Sequence, residues 1–139
     1  GTYIAWAMAK TGGKLITVEI DEGRHGEAVA NFKEAGLAGL IDARLADAHE
    51  LVPALEGPFD FVFIDAWKPD YVKFLELVRR RVVTGGAIVG HNVTNYARDM
   101  EGYLSAIRSD PGLETTFHEL SAEGMSVSVV RTPKERSGT

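Results

Sequence analysis

The sequence predicts an α/β fold with a largely parallel sheet and one reversed strand at its C-terminal edge. Three observations predict it. Short apolar or β-branched runs alternate with segments of helical periodicity, the pattern of strands joined by crossover helices. The first four runs end abruptly in polar groups, at Glu19, at Asp47, at Asp65 to Lys68 and at His91-Asn92. The last two runs are joined by a connection too short for a parallel crossover, so they must pair antiparallel.

Residues 2–10 read as a short helix closed by Thr11-Gly12-Gly13, and Lys14 to Ile20 is β-branched and strand-like. Asp21 suits the N-cap of a second helix, along which Ala28, Val29, Phe32 and Ala35 recur at helical spacing until Gly36 stops it. Leu40 to Ala46 alternates as a strand does, Ala48 to Leu55 is a brief helix, and Gly57-Pro58 turns the chain into a strand over 59–65. Pro69 suits the first turn of a helix running to about Val83, with Thr84-Gly85-Gly86 as its end. Ala87 to Gly90 is a short buried strand, followed by a helix over 95–109 and strands over 113–119 and 125–131. The two helix-Thr-Gly-Gly-strand junctions read as one turn chemistry used twice, and the polar tail from Pro133 is expected to fray.

Composition narrows the function. With 139 residues, 45% hydrophobic and 25% charged, the chain reads as one soluble domain. A net charge of −5 and a pI near 5.3 oppose a nucleic-acid footprint, which needs a basic stripe. The one basic run, Arg79 to Arg81, falls where a helix is expected to end and suits the negative end of its dipole. No apolar stretch approaches the ~20 residues that span a bilayer, and residues 1–13 do not show the charged-then-apolar plan of a signal peptide. The absence of cysteine removes disulfides, thiolate metal sites and cysteine nucleophiles and fits a reducing cytoplasm.

The strand ends hold the chemistry, because ligands of open α/β sheets bind just beyond the carboxyl ends of the strands. Glu19 is placed to accept hydrogen bonds from both hydroxyls of a ribose, although exposed strand-end glutamates are common. Asp47 and the Ala48 backbone suit an adenine edge, and Asp47 equally suits a helix N-cap. Neighbouring third and fourth strands bring Asp65 near His91 and Asn92, oxygen and nitrogen donors for a divalent cation such as Mg²⁺. Trp67 offers a face for a purine, and Lys68 an amine whose pKa a nearby cation lowers. The bland reading of these two is a packing indole and a solvated lysine.

The ordered string Thr17-Val18-Glu19-Ile20-Asp21, Leu45-Ala46-Asp47-Ala48, Phe63-Ile64-Asp65-Ala66-Trp67-Lys68 and Ile88-Val89-Gly90-His91-Asn92-Val93 resembles the S-adenosylmethionine-dependent O-methyltransferases of the catechol and caffeoyl-CoA type. The likeness extends to about Arg131. It implies a Rossmann-like class I methyltransferase sheet with a C-terminal antiparallel strand, occupying residues 1–132. It also implies that Glu19 holds the cofactor ribose, that Ile20 lines the adenosine pocket, that Asp47 and Ala48 face the adenine and that Trp67 packs beside it. Asp65 and Asn92 become metal ligands and Lys68 the general base, acting on a small aromatic, catechol-like substrate, and members of the family pair as homodimers.

Two departures accompany the likeness. The family's metal-binding members carry Asp-Asn where this chain has His91-Asn92, an exchange that weakens a Mg²⁺ site, favours softer ions such as Mn²⁺ or Zn²⁺, and leaves His91 open to acting as a base without metal. The family's first strand and Gly-rich loop have no counterpart; Gly1-Thr2-Tyr3 resembles only the end of that loop, where Gly1 would approach the methionine part of the cofactor. The expectation is a portion of a longer protein, or a sheet completed by a partner, since unpaired central edges are costly. A methyltransferase-fold binding or assembly module without turnover is the alternative. A nicotinamide oxidoreductase is disfavoured by the lack of a Gly-x-Gly-x-x-Gly turn.

Overall fold

A computed structural model describes residues 13–55, 57–65, 68–91, 93, 98–119 and 124–131, with the expected helix at 2–10 and the polar tail outside them. The chain divides into two compact units, Gly1–Ala54 and Leu55–Thr139. Each contains a parallel strand pair, and the second also contains the reversed strand.

In the first unit β1 (Leu15–Glu19) runs parallel to β2 (Ile41–Leu45), with Leu15 opposite Ile41 and Glu19 opposite Leu45. The crossover is α1 (Glu22–Glu34), capped as expected by Asp21, whose carboxylate accepts from the Arg24 amide at 3.2 Å. Gly36 follows it at φ 74°, the left-handed conformation that glycine enters without a Cβ penalty. Phe32, Leu37 and Ile41 form the core, with Leu15, Ala28, Leu40 and Ala43 against it. His25 Nε2 donates to the Ala43 carbonyl at 3.0 Å and ties helix to strand. The short α2 (Ala48–Ala54) follows β2.

The second unit holds a four-stranded sheet in the order β3-β4-β6-β5, from β3 (Phe59–Ile64), β4 (Val82–His91), β5 (Leu113–His118) and β6 (Met125–Val130). β3 and β4 are parallel, and β6 runs antiparallel to both β4 and β5, the reversed strand read from the short connection. The crossover from β3 to β4 is α3 (Tyr71–Val78), and α4 (Glu101–Ser109) follows β4. Tyr71, Leu75 and Val78 of α3, Ile88 and Val89 of β4, Tyr103 and Ile107 of α4 and Val130 of β6 are all buried. Among the described residues β1 pairs only with β2, and β3 only with β4.

Three expectations change. The helix expected to reach Val83 ends at Val78, gives way to a short 3₁₀ turn over Arg79–Arg81, and Val82 already pairs with Phe59. Thr84-Gly85-Gly86 is therefore no helix stop but an irregularity inside β4, because Phe59 pairs with Val82 while Phe61 pairs with Ala87. Gly86 makes the bulge feasible: a Cβ there would lie 2.8 Å from the Asp60 carbonyl oxygen and 2.7 Å from Val82 Cγ1. Arg79 is not a solvated dipole cation. Its side chain is 4% exposed and its Nε donates to Asp110 Oδ2 at 2.7 Å, while Asp110 Oδ1 accepts from the Gly112 amide. The third change is in α4, which starts at Glu101 rather than 95, with residues 94–97 outside the described region.

Candidate functional site

The candidate residues at the carboxyl ends of the parallel strands fall in both units, and each end is built by its own strand pair. In the first unit the Ala46 amide donates to the Glu19 carbonyl at 3.0 Å, so the chain leaving β2 is tied to the end of β1. Glu19 is half-buried. Its Oε1 accepts from the Asp21 amide at 3.1 Å, which fixes the carboxylate and leaves Oε2 without a partner among the described residues. Ile20 beside it is 70% exposed, an apolar surface at the strand end. Asp47 caps α2, accepting from the His49 amide at 2.9 Å through Oδ1 and from the Glu50 and Leu51 amides through its carbonyl. The capping reading of Asp47 holds, and it fixes Ala48 as the first residue of the helix.

In the second unit Ile64 pairs with Gly90, which sets Asp65 opposite His91. His91 Nδ1 lies 3.8 Å from Asp65 Oδ1, and the His91 ring centroid lies 6.1 Å from that of Phe63. The structure therefore brings together the carboxylate and the imidazole that the sequence reading paired. Of Lys68 the backbone is described, in the 3₁₀ turn Lys68–Asp70 that leads into α3. Gly1, Trp67 and Asn92 lie outside the described residues. Among the described residues no group of three or more His, Asp or Glu side chains gathers as a metal centre.

The donor chemistry of the second unit discriminates among ions. Mg²⁺ demands oxygen ligands in near-octahedral geometry, whereas a carboxylate beside an imidazole suits a first-row transition ion. Asp65 and His91 thus fit a divalent cation of the Mn²⁺ or Zn²⁺ class better than Mg²⁺.

Two residues that sequence reasoning left without a role pack at the end of β4. Tyr71, fully buried at the start of α3, donates its hydroxyl to the His91 carbonyl at 3.1 Å. Its signal was its place three residues after Lys68 in a helix's first turn, where side chains lean back toward the N-terminus. Tyr103 packs edge-on against Tyr71, and burial, reinforced by the Tyr71 phenol, pushes its own hydroxyl up to about 12. His118 ends β5, and Met125 of β6 is in register with both His118 and His91.

A sequence model described as "Methyltransferase domain" matches residues 1–93. The chain belongs to the methyltransferase-domain family. Within this family it is similar to a catechol O-methyltransferase of Niastella koreensis, 37% identical over 95 residues that cover 66% of this chain and 42% of that protein. It is also similar to the catechol O-methyltransferase of Mycobacterium tuberculosis, 32% identical over 117 residues, 75% of this chain and 53% of the relative. A caffeoyl-CoA O-methyltransferase of Stellaria longipes matches at 34% identity over 58% of this chain and 36% of its own length. The chain spans about half or less of the length of these relatives. The crystal structure of a putative O-methyltransferase from Klebsiella pneumoniae superposes with a TM-score of 0.80 at 23% identity, over 86% of this chain and 63% of the other, which establishes the class I methyltransferase fold. Cofactor-bound Rv0187 from MTB gives 0.78 at 27% identity, over 86% of this chain and 62% of the other.

Proposed function

We propose that this chain carries the cofactor and catalytic residues of an S-adenosylmethionine-dependent O-methyltransferase that methylates a hydroxyl of a small aromatic, catechol-like molecule. One observation carries the reading: Asp65 and His91 face each other at adjacent strand ends of a chain in the methyltransferase-domain family. Similarity to catechol O-methyltransferases supports the acceptor class.

In this reading Glu19 Oε2 and its fixed carboxylate accept hydrogen bonds from the ribose hydroxyls of the cofactor, and Ile20 covers the adenosine. Asp47 and Ala48 take the adenine edge, Trp67 its face, and Gly1 the methionine end. S-adenosylmethionine supplies an electrophilic methyl group on a sulfonium. Lys68 takes the proton of the acceptor hydroxyl at Nζ, which leaves an oxygen nucleophile aligned with the methyl carbon. Asp65, His91 and Asn92 would hold a divalent cation, which supplies Lewis-acid stabilisation of the developing oxyanion. Most of the acceleration then comes from positioning and charge, with no covalent enzyme intermediate.

Homodimer formation and a cytoplasmic location belong to the same reading; the lack of cysteine in 139 residues suits a reducing compartment, and no described helix is long and apolar enough to cross a membrane. A second reading, a methyltransferase-fold binding module without turnover, is favoured by one observation, the imidazole of His91 at a position where the metal-binding members carry a carboxylate. Incubating the chain with S-adenosylmethionine and catechol, with Mg²⁺, Mn²⁺ or Zn²⁺ in parallel, separates the two. A catechol product heavier by one methylene supports the enzyme; cofactor binding with no product under any ion supports the module.

A further inference from the structure

We infer that Asp21 is a positioning residue: by capping α1, its carboxylate holds its own amide where that amide fixes the Glu19 carboxylate for the cofactor ribose. The inference deepens the proposed function and rests on its placement of Glu19. Asp21 acts through Glu19 and touches no ligand itself.

Glu19 is gripped at two points. Its carbonyl accepts from the Ala46 amide at 3.0 Å, and its Oε1 accepts from the Asp21 amide at 3.1 Å. A glutamate side chain is rich in rotamers, so a bond that selects one of them before a ligand arrives removes part of the ordering cost of binding. Whether the second grip holds depends on how firmly the Asp21 peptide is itself held.

Asp21 has extended backbone, φ −86° and ψ 122°, at the junction where the chain leaves β1 and enters α1. Its Oδ2 accepts from the Arg24 amide at 3.2 Å, and its carbonyl accepts from the His25 amide at 2.9 Å. Side chain and carbonyl together tie Asp21 to the first turn of α1. That turn is fixed in its own right, because His25 Nε2 donates to the Ala43 carbonyl of β2 at 3.0 Å. Ala46, which grips the other end of Glu19, directly follows β2, so both grips refer Glu19 to one strand. The Arg24 guanidinium adds little: its Nε lies 3.8 Å from Asp21 Oδ2, and the two side chains are 77% and 55% exposed.

Four variants of the full chain test this by calorimetric titration of S-adenosylhomocysteine, steady-state kinetics and the ¹³C resonance of the Glu19 carboxylate. Asp21→Ala deletes the cap, Asp21→Asn keeps a cap and removes the charge, Glu27→Gly weakens α1 at an exposed position away from the cap, and Glu19→Ala removes the group being held. For Asp21→Ala we expect affinity lower by about tenfold, a KM for S-adenosylmethionine raised to match at unchanged kcat, and a displaced Glu19 resonance. For Asp21→Asn and Glu27→Gly we expect affinity within about twofold of the parent and an undisplaced resonance. The inference is overturned if Asp21→Ala keeps parental affinity and resonance. It is also overturned if Asp21→Asn loses affinity equally, which assigns the effect to charge, or if Glu27→Gly does, which assigns it to helix stability. Parental affinity in Glu19→Ala strikes the ribose placement instead, and the Glu19 resonance then decides alone whether Asp21 holds the carboxylate. Should Asp21→Ala not fold, Asp21→Gly deletes the same carboxylate at a smaller cost to the helix.

Discussion

Glu19 and Lys68 divide the proposed chemistry between binding and turnover. Glu19 Oε1 is already satisfied by the Asp21 amide, so the carboxylate is oriented before any ligand arrives. Charge-assisted hydrogen bonds are worth about 1.5–3 kcal/mol each, so Glu19→Ala should weaken S-adenosylhomocysteine binding by roughly a hundredfold in a calorimetric titration. Parental affinity in that variant would show that the ribose lies elsewhere. Lys68→Ala should leave that affinity intact and lower kcat by about 10²–10⁴, the range of a single general base. If instead it lost binding and kept its rate once saturated, Lys68 would be a cofactor contact. At the same scale, the sequence was enough to pair Asp65 with His91, since polar residues at the ends of adjacent parallel strands must meet. It was not enough to find Tyr71, whose role depends on where one phenol points.

Element boundaries show where sequence signals compete. Asp21 and Gly36 delimit α1 as read, because an N-cap side chain and a left-handed glycine act locally. Val82, Val83 and Thr84 continued an apolar helical pattern into a Gly-Gly pair, which imitated a helix stop. Their β-branched side chains instead extend β4, and the glycines absorb the bulge opposite Phe59 and Phe61. Gly86→Ala should therefore destabilise the second unit by about 1–3 kcal/mol, read as a lower urea midpoint at unchanged slope, because its Cβ would meet backbone at 2.8 Å. A neutral substitution would mean that the bulge relaxes freely. Arg79 was equally illegible, since its partner Asp110 lies 31 residues along the chain. Asp110→Ala removes the two-bond carboxylate partner of a buried guanidinium and should cost about 3–5 kcal/mol, whereas an exposed pair would cost under about 1 kcal/mol. Urea unfolding of the variant distinguishes the two.

The whole molecule adds a pH response and an overall test. Burial raises the Tyr103 hydroxyl from its ordinary value of 10 to about 12, so the folded state holds a proton that the unfolded state releases between those values. Its contribution is fully present below pH 10 and is lost as pH rises toward 12, and Tyr103→Phe should flatten that alkaline loss of stability. An unchanged alkaline limb would place the responsible group elsewhere. In the proposed function the strand-end residues Glu19 and Asp47 bind an S-adenosyl ligand. The direct measurement is a calorimetric titration of S-adenosylhomocysteine into the folded chain, which requires no knowledge of the methyl acceptor. The account predicts saturable binding at one site per chain with a Kd of about micromolar order, or about −8 kcal/mol. A folded chain that gives no heat of binding at millimolar ligand would contradict it.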